Sequence, residues 1–80
     1  MYYAYVLKSI NHDFFYKGHC EFLEERLKQH NSGQTKSIRP YTPFEVVYFE
    51  KYDTLDEAIE CEKYWKTSAG RRYLKKVMAS

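Results

Sequence analysis

Aromatic and branched residues run together from Tyr2 to Lys8, a polar cluster Asn11-His12-Asp13 interrupts them, and Phe14 to Gly18 resumes the apolar pattern. Two such runs around turn-forming residues predict a β-hairpin. From Glu21 to about Asn31 the spacing changes, with Phe22, Leu23 and Leu27 recurring at helical intervals and Asn31-Ser32-Gly33 supplying a stop. Gln34 to Thr42 is polar and reads as a surface loop, and Phe44 to Lys51 (FEVVYFEK) is the best third strand. Thr54-Leu55-Asp56-Glu57 has capping-box form, which starts a helix with Thr54 as its N-cap and runs it to Lys66 or Thr67. Ser68-Ala69-Gly70 reads as a break, after which Arg71 to Met78 forms a short last helix with Tyr73, Leu74 and Val77 on its apolar side. The order ββαβαα implies an α+β fold: a small three-stranded antiparallel sheet flanked by helices, which needs them to cover at least one face.

Three features of this pattern carry candidate chemistry. A regular hairpin centred between Ile10 and Asn11 pairs Tyr5 with Tyr16, Tyr3 with Gly18 and Leu7 with Phe14, so that two phenols share a face. Such a pair is also an ordinary sheet-stabilising contact, and the hairpin alone leaves both readings open. On the first helix Arg26 and His30 stand at i and i+4, a fixed cation beside a titratable imidazole. On the second helix Leu55, Ala58, Ile59, Glu62 and Trp65 form an inward stripe that contains one carboxylate. An inward carboxylate costs stability unless it is paired, hydrated or bound to a metal, so Glu62 is either a site residue or half of a salt bridge.

Composition sets the limits on these readings. A chain of 80 residues with 44% hydrophobic and 19% aromatic content supports one domain, residues 1–80, and one core. The formal net charge is only +2, but six of the thirteen Lys and Arg residues lie between Lys63 and Lys76, which favours an acidic partner. The two cysteines, Cys20 and Cys61, have neither the spacing of a thiolate metal site nor the number of a disulfide framework, which fits a reducing cytoplasm. No apolar run approaches the ~18 residues of a membrane span, and no charged n-region precedes one.

Tyr3-Ala4-Tyr5, Tyr16-Lys17-Gly18, LEERLKQHNSG from Leu23 to Gly33, VVYFE from Val46 to Glu50 and EAIECEKYWK from Glu57 to Lys66 together resemble the small single-domain GIY-YIG nucleases. The resemblance spans almost the whole chain in order and interval. Tyr3 and Ala4 stand where the name motif has Gly and Ile, and Lys17 stands where it has Ile. The resemblance implies an active site of Tyr5, Tyr16, Arg26, His30 and Glu62. In it Glu62 holds Mg²⁺ or Mn²⁺, Arg26 clamps the scissile phosphate and His30 orients the base or shuttles its proton. A tyrosine of lowered pKa activates water, with Tyr5 favoured as base, Tyr16 as its positioning partner and the reverse left open. The implied partner is DNA, with RNA not excluded, and the implied setting is repair or recombination by a monomer or weak dimer. Lys36, Arg39, Lys63, Lys66, Arg71 and Arg72 are the candidate phosphate contacts. A binding module with a weak site, or a scaffold for a repair protein, is the alternative.

Overall fold

The computed structural model describes residues 1–79. Its elements are strands β1 (Tyr2–Ser9) and β2 (Phe15–Cys20), helix α1 (Leu23–Asn31), a 3-10 helix (Lys36–Tyr41), strand β3 (Phe44–Tyr52) and helices α2 (Leu55–Trp65) and α3 (Ser68–Met78). The strands form one antiparallel sheet in the order β2-β1-β3, so the third strand crosses over to pair with the first.

Helices cover both faces of this sheet. The alternation of a strand sends Tyr5 and Leu7 to one side, where Cys20, Ile38 and Phe44 join them in a core closed by Leu23 and Leu27 of α1. Ala4 and Val6 go to the other side, against Trp65 of α2 and Leu74 of α3. The two thiols therefore belong to opposite faces, Cys20 with the first core and Cys61 with the second, and both are free. Thr54 caps α2 as its pattern requires, its hydroxyl accepting the Glu57 backbone N–H at 3.2 Å and donating to the Glu57 carboxylate at 3.0 Å.

Four local expectations need correction. The hairpin register is shifted by two residues: Tyr5 lies opposite Gly18, Tyr3 opposite Cys20, and Leu7 opposite Tyr16. The reason is a wider loop, closed by the Ser9 N–H donating to the Phe14 carbonyl at 2.9 Å and held by the Ser9 hydroxyl, which accepts the His12 N–H at 3.1 Å. A shift of two preserves the face of every side chain, so the phenols remain on one side of the sheet. Helix α1 starts at Leu23, two residues after the expected Glu21. The polar segment contains a 3-10 helix that buries Ile38. Ser68-Ala69-Gly70 is the first turn of α3, not a break: Thr67 caps it, accepting the Gly70 N–H at 3.0 Å. Gly70 is there because α2 passes so close that a Cβ would run into the backbone of Tyr64 and Trp65.

Candidate active site

Between α1 and α2, at the end of the sheet where β2 is the edge strand, lies an open cavity of about 390 Å³. Tyr5, Tyr16, Arg26 and Glu62 all line it, with Gly18, His19 and Leu55 among their neighbours. Four elements thus meet there: the paired strands β1 and β2 bring the phenols, α1 brings the guanidinium and α2 brings the carboxylate.

Tyr5 is 1% exposed, and its ring can lie over the sheet only because its cross-strand partner is glycine. A Cβ on Gly18 would stand 2.5 Å from Oη of Tyr5 and 2.7 Å from Cζ. The phenol bonds to Nε2 of His30 at 3.0 Å, and Nδ1 of the same ring bonds to the Thr35 hydroxyl at 2.9 Å. His30 is itself only 2% exposed, and Tyr16 sets its ring edge-on to the imidazole with centroids 5.0 Å apart. His30 therefore backs the cavity through Tyr5, whereas the other four face it.

Burial, Arg26 and the neighbouring phenol set the electrostatics. Burial pushes the Tyr5 phenol well above its ordinary value; Tyr16 adds to the rise, and Arg26 opposes it. Tyr5 in the free protein is thus a harder acid to ionise than the lowered pKa expected of a water-activating tyrosine, because a phenolate gains too little from one exposed cation to offset its desolvation. Burial and Arg26 both push His30 down, so its imidazole is neutral at pH 7. In the tautomer whose Nδ1–H donates to Thr35, Nε2 accepts the Tyr5 hydroxyl, which gives the phenol a route for its proton. Arg26 is exposed and has no ion pair among the described residues, which leaves its planar fork of donors free at the cavity mouth.

Glu62 is inward, and it is paired. Nδ1 of His19 donates to Oε1 at 2.7 Å and the Lys66 ammonium donates to Oε2 at 2.6 Å. Burial alone would raise the carboxyl; the bonds from Lys66 and His19 outweigh it and hold Glu62 below the usual carboxylate range. Among the described residues no group of three His, Cys, Asp or Glu side chains is assembled for a metal. What Glu62 offers is one ionised carboxylate in an open polar cavity, which suits a hard ion that keeps most of its waters and shares phosphate oxygens with a substrate. Lys66, which holds Oε2, has its side chain 55% exposed.

The basic residues fall into two groups. Lys63 and Lys66 of α2 and Arg71 and Arg72 of α3 lie on consecutive helices, while Lys36 and Arg39 belong to the 3-10 helix. Several have structural work: Arg39 donates to the Gly33 carbonyl at 2.8 Å where the chain turns at φ +82°, and Arg71 donates to the Lys66 carbonyl at 3.1 Å, closing the end of α2. Lys63 reaches Glu60 at 3.9 Å, and Lys66 belongs to Glu62. No local sequence pattern marks His19 or Thr35 as site residues. His19 alternates with Gly18 along β2 and so faces α2, a signal visible only once Glu62 is known to lie across from it. Thr35 sits in a segment with no periodicity to read.

Residues 1–75 match the family model of the GIY-YIG catalytic domain. A UPF0213 protein of Staphylococcus saprophyticus is 34% identical over 91% of this chain and 89% of its own length. Another, from Clostridium perfringens, is 39% identical over 82% of this chain and 71% of its own. The solution NMR structure of a UPF0213 protein from Bacillus halodurans superposes with a TM-score of 0.55 at 25% identity, covering 95% of this chain and 83% of that one. With the sheet order, the phenols beside β2, and Arg26 and Glu62 on the helices that follow, the match extends from sequence to fold: the chain belongs to the GIY-YIG family.

Proposed function

We propose that this protein is a metal-dependent endonuclease that hydrolyses phosphodiester bonds in DNA, in repair or recombination. The observation that carries the reading is the meeting of Arg26, without an ion pair among the described residues, two phenols and the Glu62 carboxylate around one cavity, with Tyr5 bonded to a neutral His30 behind it. Arg26 takes two oxygens of the scissile phosphate in its fork and neutralises charge as the pentacovalent state forms. Tyr5 orients and deprotonates the attacking water, passing its own proton to Nε2 of His30, which Thr35 holds in register; as the new P–O bond forms, the bond to the 3′ oxygen breaks and that oxygen takes a proton from solvent. Tyr16, half-buried beside the same imidazole, positions the water or exchanges roles with Tyr5. Glu62 would hold Mg²⁺ or Mn²⁺ once Lys66 yields, and such an ion supplies phosphate neutralisation and a more acidic bound water. His19 keeps Oε1 of Glu62 oriented meanwhile. Lys36, Arg39, Lys63, Lys66, Arg71 and Arg72 are read as phosphate contacts along the substrate.

The second reading, a binding module with a silent site, is favoured by one observation: both oxygens of Glu62 are already engaged, one by the His19 imidazole and one by the Lys66 ammonium. Cleavage by the parent separates the two, since a silent site cuts nothing, and Glu62→Gln tests what the carboxylate contributes. The pair is partly solvent-screened, so the variant loses no more than about 1 kcal/mol of stability. On the nuclease reading it retains nucleic-acid affinity and loses cleavage by about 10²-fold in a panel of flap, nicked, duplex and single-stranded DNA and RNA with Mg²⁺. Unchanged cleavage with a lowered melting temperature makes Glu62 a salt-bridge residue only.

A further inference from the structure

On the side of the sheet away from the phenols, β2 and α3 enclose a second cavity of about 260 Å³. Its floor is apolar, formed by Phe15, Leu74 and Met78 over Val6, and its rim carries Lys17, Arg71 and Lys75 with no acidic residue. Among the described residues neither Lys17 nor Lys75 has an ion pair, and the one side-chain bond of Arg71 is to a carbonyl. The Lys8 ammonium stands 5.8 Å from the centroid of the Phe15 ring, held by the Ser9 and His12 carbonyls at 3.1 and 3.4 Å. Burial lowers the Lys17 ammonium, and Arg71 and Lys66 lower it further by repulsion, so the cluster is held together at an electrostatic cost that an anion would relieve.

We propose that this cavity holds one unstacked nucleobase of the substrate strand, seated on Phe15, Leu74 and Met78, with the flanking phosphates on Lys17, Arg71 and Lys75. The inference rests on the nuclease reading for the identity of the strand and deepens it: the substrate has an unpaired nucleotide at a fixed offset from the cut. Size favours a single base, since the volume is just below the range of roughly 300–1,000 Å³ that takes drug-sized ligands. Chemistry favours a base over an acyl chain, because a flat ring with an anion on each side matches an exposed phenylalanine ringed by cations. The cavity lies across the edge strand β2 from the cleavage site. Lys17 lies between Tyr16 and Gly18, and Arg71 bonds the carbonyl of Lys66, whose ammonium is on Glu62.

Binding in chelator tests this without cleavage. Fluorescence anisotropy compares the whole chain on single strands of one length that carry thymine bases or abasic sites, and on a duplex of that length. The base-bearing strand binds about tenfold more tightly than the abasic one, as base stacking on an aromatic requires. Phe15→Ala removes that difference, and 2-aminopurine placed in the strand changes emission on binding to the parent but not to the variant. Phe15 is 40% exposed on an edge strand, so the fold tolerates its loss, and Met78→Gln provides a second variant with the same expected direction. Lys17→Gln and Lys75→Gln weaken both strands alike and lower the salt slope by about 0.7 per phosphate contact. Equal affinity for base-bearing and abasic strands, or a Phe15→Ala effect equal on both, overturns the proposal. So does capture of an acyl-chain probe with no response to single strands, which would assign the cavity to a lipid. Base-dependent binding by a protein that cuts nothing would overturn the nuclease reading and leave this one standing.

Discussion

Protonating His30 places a second positive charge beside Arg26 in a ring that is 2% exposed, which is why burial first and Arg26 second push it down. A histidine with a folded value below its unfolded value of about 6.5 binds its proton more readily in the unfolded chain. Its neutral form therefore favours the fold above that pH, and the contribution is lost as pH falls below it. Glu62 acts in the same direction in a lower window. Its folded value is depressed, so its stabilisation is present above the unfolded carboxylate value of about 4.3 and fades as pH falls through the folded one. The melting temperature is expected to fall between pH 7.5 and about pH 5.5, before carboxylates titrate, and His30→Gln is expected to flatten that part of the profile. A parent profile that is level over this interval would show that the imidazole is not held neutral by its surroundings.

At the scale of elements, the join between α2 and α3 depends on one hydroxyl. Thr67 accepts the Gly70 N–H at 3.0 Å and donates to the Tyr64 carbonyl at 2.6 Å, so it serves the start of one helix and the end of the other. Thr67→Ala is expected to cost about 1 kcal/mol, a fall of roughly 4–8 °C in melting temperature for a domain of this size, and Thr67→Ser to restore most of it. Equal losses in both variants would mean that the methyl group, not the hydroxyl, holds the join. This cap was hard to read because Ser68-Ala69-Gly70 has the composition of a turn, and the reason for Gly70 is a neighbouring helix backbone that no local pattern reveals. The Thr54 cap was legible because its partner Glu57 is three residues away and of the right type. The hairpin register was not, because loop width depends on a Ser9 hydroxyl reaching the His12 N–H; only the face of each side chain survived the error, through the two-residue period of a strand.

Across the whole molecule, helices cover both faces of a three-stranded sheet, and the candidate site occupies the notch that α1 and α2 leave beside β2. Such a notch gathers residues distant in sequence. Tyr5, Tyr16, Arg26 and Glu62 could be singled out beforehand because each breaks a local pattern: hydroxyls where a plain ring would pack, a cation one turn before a histidine, a carboxylate in an apolar stripe. The partners that tune them could not be. His19 on Glu62, Thr35 on His30 and Gly18 beneath Tyr5 are set by the packing of separate elements. For the same reason Lys66, read along the chain as a phosphate contact, is in the free protein a ligand of Glu62.

Arg26 offers the most direct test, because it faces the cavity, is exposed and pairs with no carboxylate among the described residues. Arg26→Ala should therefore leave stability within about 0.5 kcal/mol of the parent. The decisive measurement is the single-turnover rate of Mg²⁺-dependent cleavage by parent and Arg26→Ala on the panel member the parent cuts best, with a chelator control. If Arg26 clamps the scissile phosphate, the variant melts with the parent and cuts at least about 10²-fold more slowly, the loss of a charge-assisted contact. A variant that cuts within about threefold of the parent, or a parent that cuts no member of the panel, would contradict it.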